Sequence, residues 1–422
     1  MKKVRLSGVL LVLPALLLVM SLATVSAKEK NITLRYAIFA QQDVDYFTNK
    51  VDLAKAYKKV KPNVTIELEI LKDSGEFENA MKIRKAAGEL PEIMPLKSYM
   101  LANFADSLLP LNDTSAAKNN KFAKSFAIGG KIYGVPAISF NEFIYYKKNI
   151  FKELGLSVPK TWDEFVETAK KIKANGKYIP IALGGKDAWP DYPFNEFMPS
   201  LVANNGALWN QMATQDEPFT KDKPFYKAYA KLKKLYDAKV FGQDPLGIGF
   251  DQARGLFIAN KAAMIAAGQW MIPQYVENGG DMKDLGLFLL PIRDNAKDTL
   301  NTIAMVDTFL ATPKDGKYKK EVKDFLNWFF SKKYYPDYIT GIQQTSTVKG
   351  VESSVPALKE AFAGLKVNYV LYDGGNGDFQ KIAGAVKFDV KKMGQEMIAG
   401  KDLDEMLNEL NQNWKEARAK VK

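Results

Sequence analysis

The sequence predicts an α/β fold with room for two cores, and three observations carry that expectation. Strand and helix periodicities follow one another: Ile32, Leu34 and Tyr36 alternate, Asp43 to Val60 reads as a helix, and Val64, Ile66, Leu68 and Ile70 alternate again. A crossover of that length makes the two strands parallel. The chain has 422 residues, long enough for two lobes with a core each. Its 47% apolar and 26% charged content is that of an ordinary globular protein.

Taken in order, the chain opens with Lys2, Lys3 and Arg5, an apolar run from Val9 to Val19 broken by Pro14, and Val25-Ser26-Ala27. A basic head, short apolar middle and small exit residues predict a secretory signal peptide cleaved after Ala27. No later run is long enough to span a bilayer, which predicts a soluble mature chain. After the βαβ unit, Phe77, Ala80, Met81 and Ala87 mark a helix ending at Gly88, and Pro91 to Met94 leads into a short strand. Ligands of open parallel sheets sit beyond the carboxyl ends of the strands. That rule selects the loops at Phe39–Asp43, Lys72–Glu76 and Lys97–Tyr99, and within them Phe39, Gln41, Asp73, Lys97 and Ser98.

From Gly130 onward, Pro136 closes a short apolar segment, Phe143 to Tyr146 has the content of a buried strand, and Thr161 with Glu164 caps a helix carrying Phe165, Ala169 and Ile172 inward. Trp162, in the first turn of that helix, reads as structural. Ile179 to Leu183 is a short buried strand, Gln252 to Asn260 a helix, and Lys261 to Trp270 a strand running into a loop. Thr302 to Leu310 is a strand containing Asp307. Val322, Phe325, Leu326 and Phe329 mark another helix, and a last one starts at Asp402 with Leu403, Met406, Leu410 and Trp414 on one face.

Composition removes several classes of chemistry. Cysteine and histidine are both absent, so disulfides, thiol nucleophiles, Ser-His-Asp triads and histidine-ligated zinc or haem are excluded. The glycines of Tyr372 to Asp378 lack the spacing and Lys-Ser/Thr of a phosphate loop. No loop has EF-hand spacing. The net charge of +12 is spread as single lysines and pairs such as Lys58-Lys59, Lys170-Lys171, Lys233-Lys234 and Lys391-Lys392, which reads as solvated helix surface rather than a nucleic-acid patch.

Four segments carry a resemblance: GK-x-YGVP at Gly130–Pro136, YY-x-K at Tyr145–Lys148, F-x-x-x-GL-x-x-PKTWDEF at Phe151–Phe165, and F-x-x-x-KAAM-x-x-x-G-x-W at Phe257–Trp270. The chain resembles family 1 extracellular solute-binding proteins, the maltose-binding-protein-like group that delivers sugars to ATP-driven importers. The resemblance implies a type II periplasmic-binding-protein fold, with three crossings at a hinge and an oligosaccharide in the interlobe cleft. It places one lobe at 28–137 plus 291–337 and the other at 138–290 plus 338–422. It implies an extracytoplasmic monomer that docks on a membrane permease, with no cofactor, metal, catalytic residue or nucleic-acid partner. The missing cysteine removes the lipid-attachment site common in Gram-positive members.

To the strand-end residues above the resemblance adds Asn141, Asp307 and Tyr372, with Gly268 as a point of close backbone approach. Trp189, Tyr192 and Trp270 lie in polar or glycine-flanked loops and are the expected platforms for a sugar ring. At the first strand end the sequence Tyr36–Gln41 departs from the family's common tryptophan and polar partner, so a ligand other than the maltose type is expected. One alternative is a secreted glycoside hydrolase or lyase built on Asp73 with Glu76 or Asp187 with Asp191. Another is an acidic, uronate-type ligand, drawn by the positive charge and Lys97.

Overall fold

Two separate bodies of apolar side chains divide the molecule. The structure, a computed structural model, describes residues 30–351, 355–375 and 377–421; the proposed leader and its cleavage point lie outside them. No helix among the described residues is long and apolar enough to cross a membrane.

The first body surrounds a sheet that begins with β1 (Ile32–Ile38) and β2 (Val64–Ile70), parallel and in register from Ile32 opposite Val64 to Ile38 opposite Ile70. β1 also bridges to Ile93, just ahead of β3 (Met94–Leu96). β3 and β4 (Val135–Phe140) both run antiparallel to the long strand that follows later in the chain. Strand alternation puts Leu34, Tyr36 and Ile38 into one core, while Ala37 joins Phe77, Met81 and Met100 in another on the opposite face. The helix expected over Asp43 to Val60 is broken: Gln41–Asp45 continues into a wide turn at Tyr46–Lys50, and Asp52 caps a fresh helix at Leu53–Lys58 through the Lys55 amide. The restart turns Leu53 and Tyr57 fully inward and leaves Val51 and Ala54 half-buried.

The second body is built on β5 (Glu142–Lys147), β6 (Ile179–Ala182), β7 (Ala262–Gly268) and β8 (Leu285–Leu289), in the order β6-β7-β5-β8. β6 is parallel to β7, whereas β5 is antiparallel to both β7 and β8. Thr161 accepts from the Glu164 amide as expected, and Trp162 is fully buried, donating its indole N–H to the Lys231 carbonyl at 3.0 Å.

β9 (Leu300–Ala311) belongs to both bodies. Its first half pairs in parallel with β10 (Val367–Leu371), and Leu300 and Ile303 pack in the second core. Its second half pairs with β4 and β3, and Val306, Phe309 and Leu310 pack in the first body. The chain therefore passes between bodies at Asn141 and within β9 near Ala304–Met305, while Val351 still packs in the first body and Val355 in the second. The boundaries expected at 290/291 and 337/338 fall earlier than these changes of body. Apolar periodicity marks a buried residue without saying which core receives it. Leu290 and Ile292 remain on the second core, and the helix Tyr335–Gly341 buries Tyr335, Tyr338 and Ile339 in the first.

Candidate functional site

A cavity of about 680 Å³ lies between the two bodies, on the face of β4 and β9 that presents Ile138, Phe140, Met305 and Asp307. Pleating sends the intervening Ser139, Asn141 and Ala304 to the reverse face, where they line a second cavity of about 460 Å³. The larger cavity has a polar wall from the first body and an aromatic wall from the second.

The polar wall is made where strands end and helices begin. Lys97, immediately after β3, places Nζ 2.6 Å from Asp307 Oδ2 and 5.0 Å from the centroid of Phe39. Asp307 Oδ1 accepts from the Thr308 amide at 2.8 Å, and Thr308 sits at φ +58° inside a strand. A β-branched residue adopts that left-handed geometry only where its surroundings impose it. Asp73 caps the helix Ser74–Ala87 by accepting from the Glu76 amide, and Glu76 accepts in return from the Lys72 amide. Behind this wall Asp43 accepts from the Tyr338 hydroxyl at 2.8 Å. Burial raises its carboxyl to about 7, with the Tyr338 bond opposing.

The aromatic wall comes from two loops of the second body. Trp189, Tyr192, Phe250 and Trp270 form one cluster: Trp189 lies 4.7 Å from Phe250 and 5.8 Å from Trp270, centroid to centroid, with tilted planes. A hydrogen-bond chain anchors it. Trp270 Nε1 donates to Tyr192 Oη at 3.1 Å, and Tyr192 donates to Glu142 Oε2 at 2.7 Å. Glu142 is the first residue of β5; burial pushes its carboxyl up to about 8, and its Oε1 is buried with no hydrogen-bond partner. Trp189 and Trp270 are each only half-buried, which leaves ring surface toward the cavity.

The structure brings Phe39, Asp73, Lys97, Trp189, Tyr192, Trp270 and Asp307 together around this space. The other five residues expected at the site stand elsewhere. Gln41 is exposed and donates to Asp45, one turn along its own helix, while Gln42 faces the cavity. Ser98 starts the helix after Lys97 and lies toward Gly374. Asn141 points to the reverse face and donates to the Ile303 carbonyl at 2.7 Å. At Gly268 the space that a ligand was expected to approach is filled by the Trp270 indole and the Tyr192 hydroxyl, so the missing side chain serves packing. Tyr372 is buried, donates to Glu196 Oε1 at 2.7 Å and accepts from Trp209 at 2.7 Å. The lining residues that sequence reasoning missed are Ile138, Phe140, Met305 and Thr308. Ile138, Phe140 and Met305 are apolar strand residues like those of a core, Thr308 follows Asp307 in the same strand, and only a position at the junction of two bodies distinguishes them.

Three of the four carboxylates offered for acid–base chemistry have structural partners: Asp187 Oδ2 accepts from the Phe250 amide at 2.7 Å, and Asp73 and Glu76 hold a helix start, whereas Asp191 is buried outside the cavity lining with its Oδ1 unpartnered. Among the described residues no group of three or more acidic side chains is arranged to hold a metal ion.

The bacterial extracellular solute-binding protein model matches residues 42–336. The chain belongs to that family. A Streptococcus mutans "Multiple sugar-binding protein" is 26% identical over 363 residues, covering 83% of each chain. The Bacillus subtilis melibiose/raffinose/stachyose-binding protein MelE is 24% identical over 330 residues, 76% of this chain and 74% of its own length. A mannobiose-bound ABC-transporter binding protein from Bifidobacterium animalis subsp. lactis superposes with a TM-score of 0.76 at 20% identity, over 92% of this chain and 95% of that one. The α/β two-lobe architecture is thus that of transporter solute-binding proteins, and the two bodies are its lobes.

Proposed function

We propose that this solute-binding protein captures a neutral oligosaccharide between its lobes outside the cytoplasm and delivers it, chemically unchanged, to a membrane permease. The observation that carries this reading is the cavity itself, with half-buried tryptophan faces on one wall and hydrogen-bonding groups on the other. Carbohydrates present both kinds of surface, C–H faces that pack on aromatic rings and hydroxyls that need partners. Relatives with this architecture are sugar-binding proteins by name, which supports the same ligand class.

The charge balance of the lining favours neutral over acidic sugars. Its charged residues are Lys72, Asp73, Lys97 and Asp307, two of each sign, and Lys97 is already committed to Asp307. A uronate would have to compete with that aspartate. Ligand touching both walls is possible only when the lobes are together, so binding selects the closed arrangement. The protein acts as a monomer, and binding needs neither cofactor nor bond cleavage.

A thermal-shift screen against neutral and acidic oligosaccharides tests the reading. Stabilisation by a neutral oligosaccharide that chromatography then recovers intact, and that persists at high salt, is the expected result. Shortened products would establish a hydrolase or lyase instead, and stabilisation by uronates alone, lost in salt, would establish the acidic ligand.

A further inference from the structure

Gln269 stands between the aromatic wall and the hinge. It is completely buried, follows the last residue of β7, and directly precedes Trp270. Its backbone N–H donates to the Asn141 carbonyl at 3.0 Å, on the first interlobe passage. Its side-chain Nε2 donates to the Gln343 carbonyl at 2.7 Å, and its Oε1 accepts from the Thr345 hydroxyl at 3.1 Å, both in the first-lobe segment that follows the helix Tyr335–Gly341. Asn141 in turn donates to the Ile303 carbonyl of β9, the second passage. Ser139 and Thr345 exchange backbone hydrogen bonds of 3.0 and 2.9 Å, which closes the network. The first two passages are thereby tied to each other by the Asn141 side chain and the Gln269 backbone, and the Gln269 side chain ties both to the first-lobe segment at Gln343 and Thr345. Gln343 itself is held at φ +54°, a left-handed geometry that a non-glycine residue keeps only when its surroundings impose it.

We propose that Gln269 is a positioning residue that holds the end of β7 and the two passages beside it in one arrangement with the Gln343 and Thr345 segment of the first lobe, and so transmits contact at Trp270 to the angle between the lobes. A primary amide suits this role because it donates and accepts at once, and each of its two ends meets a partner of the opposite kind. Replacing it leaves the Gln343 carbonyl and the Thr345 hydroxyl without their partner in a buried place, which loosens that first-lobe segment relative to the end of β7. The inference rests on the solute-binding reading for its consequence on affinity, but the hinge role is measurable with no ligand present.

The chain has no cysteine, so Asn79→Cys and Lys186→Cys, at exposed positions on the first and second lobes, accept spin labels selectively. Pulsed electron resonance on the full chain would compare ligand-free distances with Gln269 intact and with Gln269→Ala. The variant is expected to broaden the interlobe distribution, and to weaken binding of a neutral probe, raffinose or mannotriose, by roughly tenfold as the competent arrangement loses population. Superimposable ligand-free distributions in two folded proteins would overturn the proposal. If Gln269→Ala does not fold, Thr345→Val removes one of the two side-chain bonds and is read the same way, with a smaller broadening expected. If neither probe binds the parent protein, nor any other tested sugar, the oligosaccharide reading falls while the ligand-free distances still decide the hinge role.

Discussion

At the scale of single residues, the aromatic wall is held from below by a carboxyl group that does not want to ionise. Glu142 has an ordinary carboxyl value of 4.5, and burial raises it to about 8 in the folded chain. The folded state therefore binds a proton that the unfolded state releases between those limits. Its contribution to stability is full below pH 4.5 and is lost as pH rises through about 8. Asp43 and Asp191, raised by burial to about 7 and about 8, act with the same sign. Glu142→Gln keeps an acceptor for Tyr192 and removes the titration. Melting curves from pH 5 to pH 9 should show the variant losing less stability than the parent, by on the order of 2–4 kcal/mol. Parallel curves would mean that the carboxyl is ionised throughout. Trp189→Ala and Trp270→Ala should each weaken oligosaccharide binding by roughly 1–3 kcal/mol in calorimetric titration. Trp270 also packs against both cores, so its replacement should lower the melting temperature more than that of Trp189. Unchanged affinity in either folded variant would make that ring part of the core alone.

At the scale of elements, the site depends on how closely two loops approach. Gly184 ends the β6 segment, and a methyl group there would collide with the backbone of Gly249 and Phe250. That contact sets Phe250 against Trp189. Gly184→Ala should therefore cost on the order of 2 kcal/mol of stability and reduce affinity as well, because backbone cannot yield as a flexible side chain can. Denaturant unfolding and titration of the same preparation check both outcomes. A variant of normal affinity would show that the two loops move independently of the aromatic wall. The helix start at Thr161 was readable from Thr161 and Glu164 by chemistry alone, since the pair satisfies amides that no helix can satisfy for itself. Asp73 and Glu76 make the same motif, although the sequence suggested a ligand contact there. The break after Lys50 was not readable, because the apolar spacing from Tyr46 to Tyr57 also fits an uninterrupted helix.

At the scale of the whole molecule, the passages at Asn141 and within β9, with a cavity on each face of β4 and β9, describe a lever. Bringing the lobes together over the larger cavity must spread them over the smaller one, since the hinge strands lie between. Small-angle scattering should record a smaller radius of gyration when a neutral oligosaccharide is added, with the change retained at high salt. An unaltered profile at saturating ligand would mean that binding needs no closure.

The sequence by itself determined the parallel βαβ start, the cap at Thr161, and the two aromatic-bearing loops. These follow from local periodicity, capping chemistry and motif spacing, which act over a few residues at a time. The tertiary structure alone decided that β9 serves both lobes, that Gln42 rather than Gln41 faces the cavity, and that Tyr372 and Gly268 are committed to packing. It also decided that Lys97 meets Asp307, two residues separated by 210 positions. Which face of an element looks into a cleft and which into a core depends on what the rest of the chain places opposite it, and no local pattern encodes that.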